Sequence, residues 1–83
     1  MEELNVVAEI KIYVEDPSAM QAVKDSVGNI AKVQSFREEE LGFGIKVLKA
    51  VLLLPDAGME EVEEKIKSID KVSQVEVESV SRV

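Results

Sequence analysis

Leu4, Val6, Ala8, Ile10, Ile12 and Val14 are all apolar, while Asn5, Glu9, Lys11, Tyr13 and Glu15 stand between them. A period of two kept up over about eleven residues is that of a strand with one buried face. Asp16-Pro17-Ser18 follows, a carboxylate suited to an N-cap and then a proline at the first helical position, where its missing N–H removes no bond. Met20, Val23 and Val27 recur at helical spacing and share one face. Gly28-Asn29 tolerates the left-handed conformation that ends many helices, so a helix over 17–27 is predicted. From Ala31 to Glu40 the period is imperfect. Val33 and Phe36 cannot face the same side of a regular strand, which predicts a β-bulge. The acidic end, Arg37-Glu38-Glu39-Glu40, suits an edge strand protected from pairing with other chains.

Leu41-Gly42-Phe43-Gly44 breaks the alternation as a turn that presents one aromatic between two glycines. The strand from Ile45 to Leu54 has a second half, Ala50-Val51-Leu52-Leu53-Leu54, that is apolar on both faces, which signals a central place in a sheet. Pro55-Asp56-Ala57-Gly58 stops it. Met59, Val62, Ile66 and Ile69 then mark one face of a helix over 59–68. Glu60, Glu61, Glu63 and Glu64 crowd its start, and Lys65 and Lys67 its end, an order that complements the helix dipole. Glu61 with Lys65 and Glu63 with Lys67 are i,i+4 pairs worth about 0.2–0.5 kcal/mol each. A final strand, valine-rich from Val72 to Val80, ends in Ser81-Arg82-Val83.

The order βαββαβ predicts an α+β fold of the ferredoxin-like kind, a sandwich in which two helices cover one face of a four-stranded antiparallel sheet. Right-handed crossovers put the first and third strands in the centre, and these are the two most continuously apolar strands. The strand-helix-strand unit occurs twice without an obvious sequence repeat. A chain of 83 residues is expected to form a single domain, 1–83, around one modest core.

Composition narrows the chemistry. Hydrophobic residues make up 46% and charged residues 33%, a globular balance, and there is no His and no Cys. That removes imidazole and thiolate metal sites, Cys or His nucleophiles, and the usual neutral-pH general base. The serines have no His to activate them, so no enzyme, no metal and no cofactor is expected. The runs Glu38–Glu40 and Glu60–Glu64 read as a solvated strand end and a helix start, not as a hard-cation loop. Gly42-Phe43-Gly44-Ile45-Lys46 has the look of a phosphate loop but precedes a strand and opens no helix. The net charge of 10 − 17 = −7 repels phosphate backbones, so direct nucleic-acid binding is not expected. Met1-Glu2-Glu3-Leu4 lacks the basic start of a signal peptide, and the longest apolar run, Ala50 to Leu54, falls far short of the roughly 20 residues that span a bilayer. The expectation is a cytoplasmic protein, without membrane contact and monomeric when free. Two features stay open on these grounds. Phe43 is either a core plug or an exposed anchor, and Arg82 is either a frayed terminus or a reaching basic tip.

Phe43-Gly44-Ile45-Lys46-Val47-Leu48-Lys49-Ala50-Val51, the Pro55-Asp56 that follows, and the ending Val75-Glu76-Val77-Glu78-Ser79-Val80-Ser81-Arg82-Val83 together resemble the archaeal elongation factor 1-beta family. They are also similar to the C-terminal exchange domain of its eukaryotic counterpart. The resemblance covers essentially the whole chain. It implies a guanine nucleotide exchange factor that binds the GTPase elongation factor 1-alpha and promotes GDP release, so that GTP loads and aminoacyl-tRNA delivery resumes. It implies partner-binding residues in two places, Phe43, Gly44 and Lys46 in one and Ser81, Arg82 and Val83 in the other. Phe43 would enter a pocket on the GTPase, and Arg82 would reach toward its magnesium and phosphate region. Many eukaryotic members carry Lys where Arg82 stands, a compact ammonium in place of a planar guanidinium. The alternative is a small-ligand regulatory module, such as an amino-acid-binding one, on the same fold, for which the short loops offer little pocket. An acylphosphatase-like enzyme would need a basic loop where Glu15-Asp16 stands.

Overall fold

The computed structural model describes residues 4–55 and 58–82. Its elements are β1 (Val6–Val14), a 3-10 turn (Pro17–Ala19), α1 (Met20–Ile30), β2 (Lys32–Gly42), β3 (Ile45–Leu54), α2 (Met59–Lys67) and β4 (Val72–Arg82). The strands form one antiparallel sheet in the order β2-β3-β1-β4, so the two predicted central strands are central. Val6, Ala8, Ile10, Ile12 and Val14 all point from β1 into the core, where they meet Leu48, Ala50, Leu52 and Leu54 of β3 beneath Met20, Val23, Val27, Val62 and Ile66 of the helices. Burying a side chain such as Ile12 or Leu52 is worth about 1.5–3 kcal/mol, and the strict alternation concentrates that gain on one face. The opposite face carries no helix, yet Val47 is buried there too. Within the apolar run of β3, Ala50, Leu52 and Leu54 are buried on the core side and Val51 and Leu53 half-buried on the open one, in keeping with its central place.

Both expected ends of the first helix moved. Asp16 does cap the chain's entry, its Oδ1 accepting from the Ser18 backbone N–H at 3.0 Å and from the Ser18 hydroxyl at 2.8 Å. Pro17 opens a 3-10 turn before the α-helix proper begins at Met20. The expected stop at Gly28-Asn29 is overturned, for both residues lie within α1, exposed, and the helix ends at Ala31 in extended backbone. Ile30 continues the stripe of Val23 and Val27 onto the core, and that packing outweighs the local tendency to terminate. The last strand runs as expected through Ser81 to Arg82, paired with β1 as far as Val6. The Asp56-Ala57 part of the predicted stop after β3 lies outside the described residues. α2 shows the two predicted ion pairs, Lys65 to Glu61 at 3.0 Å and Lys67 to Glu63 at 3.7 Å.

The edge strands carry the irregularities. β2 has register shifts between Val33 and Ser35 and between Glu40 and Gly42, and β4 has two more, whereas β1 and β3 pair without interruption. The first shift inserts Gln34, which lets Val33 and Phe36 both pack on the core as the sequence required. Bulges twist an edge and disrupt its exposed ladder, a protection against adding further strands. The molecule measures 40 × 19 × 17 Å, and strands of eleven residues at about 3.3 Å per residue account for the long dimension.

Candidate functional site

At one end of that long dimension β2 turns into β3. Gly42 pairs with Ile45, so Phe43 and Gly44 form a two-residue hairpin loop. Their φ angles are 56° and 75°, and Gly42 stands at 87°. Positive φ at both central positions is the requirement of the type I′ hairpin turn, normally met by Asn-Gly or Gly-Gly. A phenylalanine there costs about 1–2 kcal/mol of left-handed strain. Its side chain recovers nothing locally, since it is 102% exposed. The core-plug possibility is thereby removed, and Phe43 stands as an apolar, strained projection. Strain of this kind clusters at functional sites. Leu41 and Ile45 flank it at 48% and 43% exposure, making the tip a three-residue apolar cluster. Neither flanking residue was singled out from the sequence, although the spacing Leu41-x-Phe43-x-Ile45 was the available signal.

The same hairpin places Gly44 in the turn, where its positive φ demands glycine, but it directs Lys46 elsewhere. Lys46 pairs with Val14 of β1 on the helix-covered side, half-buried, with Nζ 3.9 Å from Glu38 Oε1. Glu38 in turn accepts a hydrogen bond from Lys24 of α1. Lys46 is thus built into the base of the hairpin rather than its tip.

Ser81 and Arg82 lie at the other end. Ser81 pairs with Val7 and Arg82 with Val6, at the start of β1. A register shift between Glu9 and Ile10 leaves Glu78 as an extra residue in β4. Without it, Ser81 and not Arg82 would occupy the position opposite buried Val6. Both residues are exposed, and Arg82 is engaged within the chain. Val83 lies outside the described residues. Val6 and Val14 are eight residues apart along β1, so the two groups of site residues are separated by about 27 Å at roughly 3.4 Å per residue. The fold puts Phe43 and Gly44 in one turn with Lys46 at the base of the same hairpin, and Ser81 beside Arg82 in β4, but it does not bring the two groups to one pocket.

Electrostatically, the two carboxyls whose titration is displaced, Asp16 and Glu38, are both held below the ordinary carboxylate range. The cause is a hydrogen bond, from the Ser18 hydroxyl to Asp16 and from Lys24 to Glu38. Both stay charged at neutral pH, whereas a carboxyl poised as a general acid is pushed upward. Among the described residues no group of three or more Asp or Glu side chains is placed to hold a metal ion, and no helix is long and apolar enough to cross a membrane. The arrangement sets an exposed apolar tip at one end of the sheet and an exposed arginine at the other.

Residues 5–83 match the family described as the EF-1 guanine nucleotide exchange domain. Curated relatives named elongation factor 1-beta include one from Aeropyrum pernix, 35% identical over 89% of this chain and 91% of its own length. Another, from Pyrococcus abyssi, is 33% identical across the whole of both chains, and one from Methanoculleus marisnigri is 37% identical over 88% and 90%. Among solved structures, the ACT domain of the GTP pyrophosphokinase of Chlorobium tepidum superposes with a TM-score of 0.72 over 88% of this chain and 85% of its own, at 16% identity. The C-terminal domain of the MgtC protein from Mycobacterium tuberculosis does so with a TM-score of 0.69 over 100% and 93%, also at 16% identity. These two likenesses extend to the fold alone, which is the ferredoxin-like α+β sandwich expected from the element order.

Proposed function

The chain belongs to the EF-1 guanine nucleotide exchange domain family, and we propose that it promotes replacement of GDP by GTP on the GTPase elongation factor 1-alpha. The observation that carries this reading is Phe43, a fully exposed aromatic held in left-handed backbone at a hairpin tip. Such a side chain has no use in the isolated fold and a direct one in a partner's pocket, where buried aromatics dominate binding energy.

No covalent chemistry is needed. An exchange factor binds the nucleotide-free GTPase more tightly than the GDP-bound form, and by reciprocity weakens GDP by the same factor, tenfold for every 1.4 kcal/mol. Burying Phe43 is worth about 1.5–3 kcal/mol if the pocket opens only when the nucleotide-contacting segments move. Arg82 supplies positive charge toward the phosphate and magnesium region from the far end of the sheet, with Ser81 and Val83, its neighbours in sequence, as further contact residues. Because the two groups lie about 27 Å apart, they engage separate places on the GTPase, and the straight central strands β1 and β3 fix the span between them. The test is release of fluorescent GDP from elongation factor 1-alpha on adding the chain. Accelerated release is expected, and an unchanged rate at micromolar chain overturns the reading.

A further inference from the structure

The paired rows of β1 and β3 end at Val14 with Lys46, so the hairpin beyond Glu40 and Lys46 continues as two strands only, with a bulge at Leu41. A two-stranded ribbon is not stable by itself, and its direction depends on the last row that is held from outside. On the helix-covered side Val14 anchors that row in the core, and the Lys46 side chain of the same row meets one carboxylate. Glu38 of β2 accepts a hydrogen bond from Lys24 Nζ of α1 through Oε2, while its Oε1 lies 3.9 Å from Lys46 Nζ of β3. α1 is itself fixed, with Val23 and Val27 fully buried on the core. The three side chains are only 23%, 39% and 35% exposed for Lys24, Glu38 and Lys46, which strengthens the charge-assisted bond relative to a fully solvated pair.

We infer that Lys24, Glu38 and Lys46 form a brace that ties the hairpin to α1 and aims Phe43, which makes Lys24 and Glu38 positioning residues for nucleotide exchange. This rests on the reading that the hairpin tip docks on the GTPase. The brace requires no contact of Lys24 or Glu38 with the partner. It works by reducing the conformations the tip loses on binding, which is the energetic content of preorganisation.

The experiment takes Lys24→Met and Glu38→Gln, each alone and combined with Phe43→Ala, with circular dichroism confirming the fold. Backbone ¹⁵N order parameters at Gly42 and Gly44 are measured on the free chain, and GDP release on elongation factor 1-alpha at subsaturating chain. The expected result is a drop in both order parameters and a roughly three- to tenfold slower release while Phe43 is present, no further slowing in the Phe43→Ala background, and retention of both properties in Lys24→Arg. Unchanged order parameters overturn the brace. So does an equal loss in both backgrounds, which would assign these residues to general stability. If the unsubstituted chain fails to accelerate release, the exchange reading falls, while the order parameters still judge the brace.

Discussion

The two ends of the sheet, which we propose both meet the GTPase, expose their residues by different physical means. At the hairpin, a strained two-residue turn throws Phe43 clear of the molecule on a ribbon that outruns β1. At the end of β4, the backbone stays extended, and a bulge at Glu78 determines which of Ser81 and Arg82 lies opposite Val6. The first end is apolar and, on the proposed reading, gains by burial; the second is polar, with Arg82 acting through a field that salt screens. Between them β1 and β3 pair without a bulge, so the irregularities sit on the edges while the centre keeps the two ends apart. The same backbone device, a left-handed non-glycine residue, recurs at Lys71 with a purely structural use. The Lys71 carbonyl accepts a hydrogen bond from the Glu15 N–H at 2.8 Å and ties the start of β4 to the end of β1.

The contrast can be broken most forcefully at its centre. Ile12→Ala empties a fully buried site between the two ends and should cost about 2–5 kcal/mol, seen as a lower urea midpoint with exchange lost from both ends together. Next in size, Phe43→Ala should slow GDP release about thirtyfold, the equivalent of about 2 kcal/mol, with the urea midpoint barely moved. Phe43→Gly should lose exchange equally yet gain about 0.5–1 kcal/mol of stability by relieving the left-handed strain. A loss of stability in Phe43→Gly would show that the exposed ring contributes to the fold. Arg82→Gln should slow release about threefold at low salt and less at high salt, whereas the Phe43 effect should be insensitive to salt. Smallest is a pH effect on the hairpin brace. The Glu38 carboxyl is held below its ordinary 4.5 by the hydrogen bond from Lys24. Its contribution is complete above that value and fades as the pH falls through the lowered one. The stability difference between the native chain and Glu38→Gln should therefore be present at neutral pH and close in acid.

Much of this was legible in the residues because burial here follows period. The even positions of β1, the doubly apolar half of β3 and the Val33–Phe36 spacing each state where a side chain must go, and the sheet order and the first β2 bulge followed from them. The end of α1 was misjudged because Gly28 and Asn29 carry a local signal, and the contact of Ile30 with the core that overrides it is long-range. The fate of Phe43 was open for a similar reason. A glycine-flanked aromatic is compatible with folding back or standing out, and only the three-dimensional course of the turn decides between them. The separation of the two groups of site residues was implicit in the antiparallel order, since a β2–β3 hairpin and the end of β4 fall at opposite ends of such a sheet. The brace on Glu38 was not legible, because a run of Glu38-Glu39-Glu40 gives no sign of which carboxylate meets α1 and which faces solvent.

The central claim is that both ends of the sheet contact one GTPase at once. It is tested most directly by mapping backbone amide shifts of the ¹⁵N-labelled chain as nucleotide-free elongation factor 1-alpha is added in substoichiometric steps. The account predicts that Gly42 to Ile45 and Ser79 to Arg82 broaden together at the same partner concentration, with the exposed face of α2 unaffected. Broadening confined to one end, or centred on α2, would contradict it.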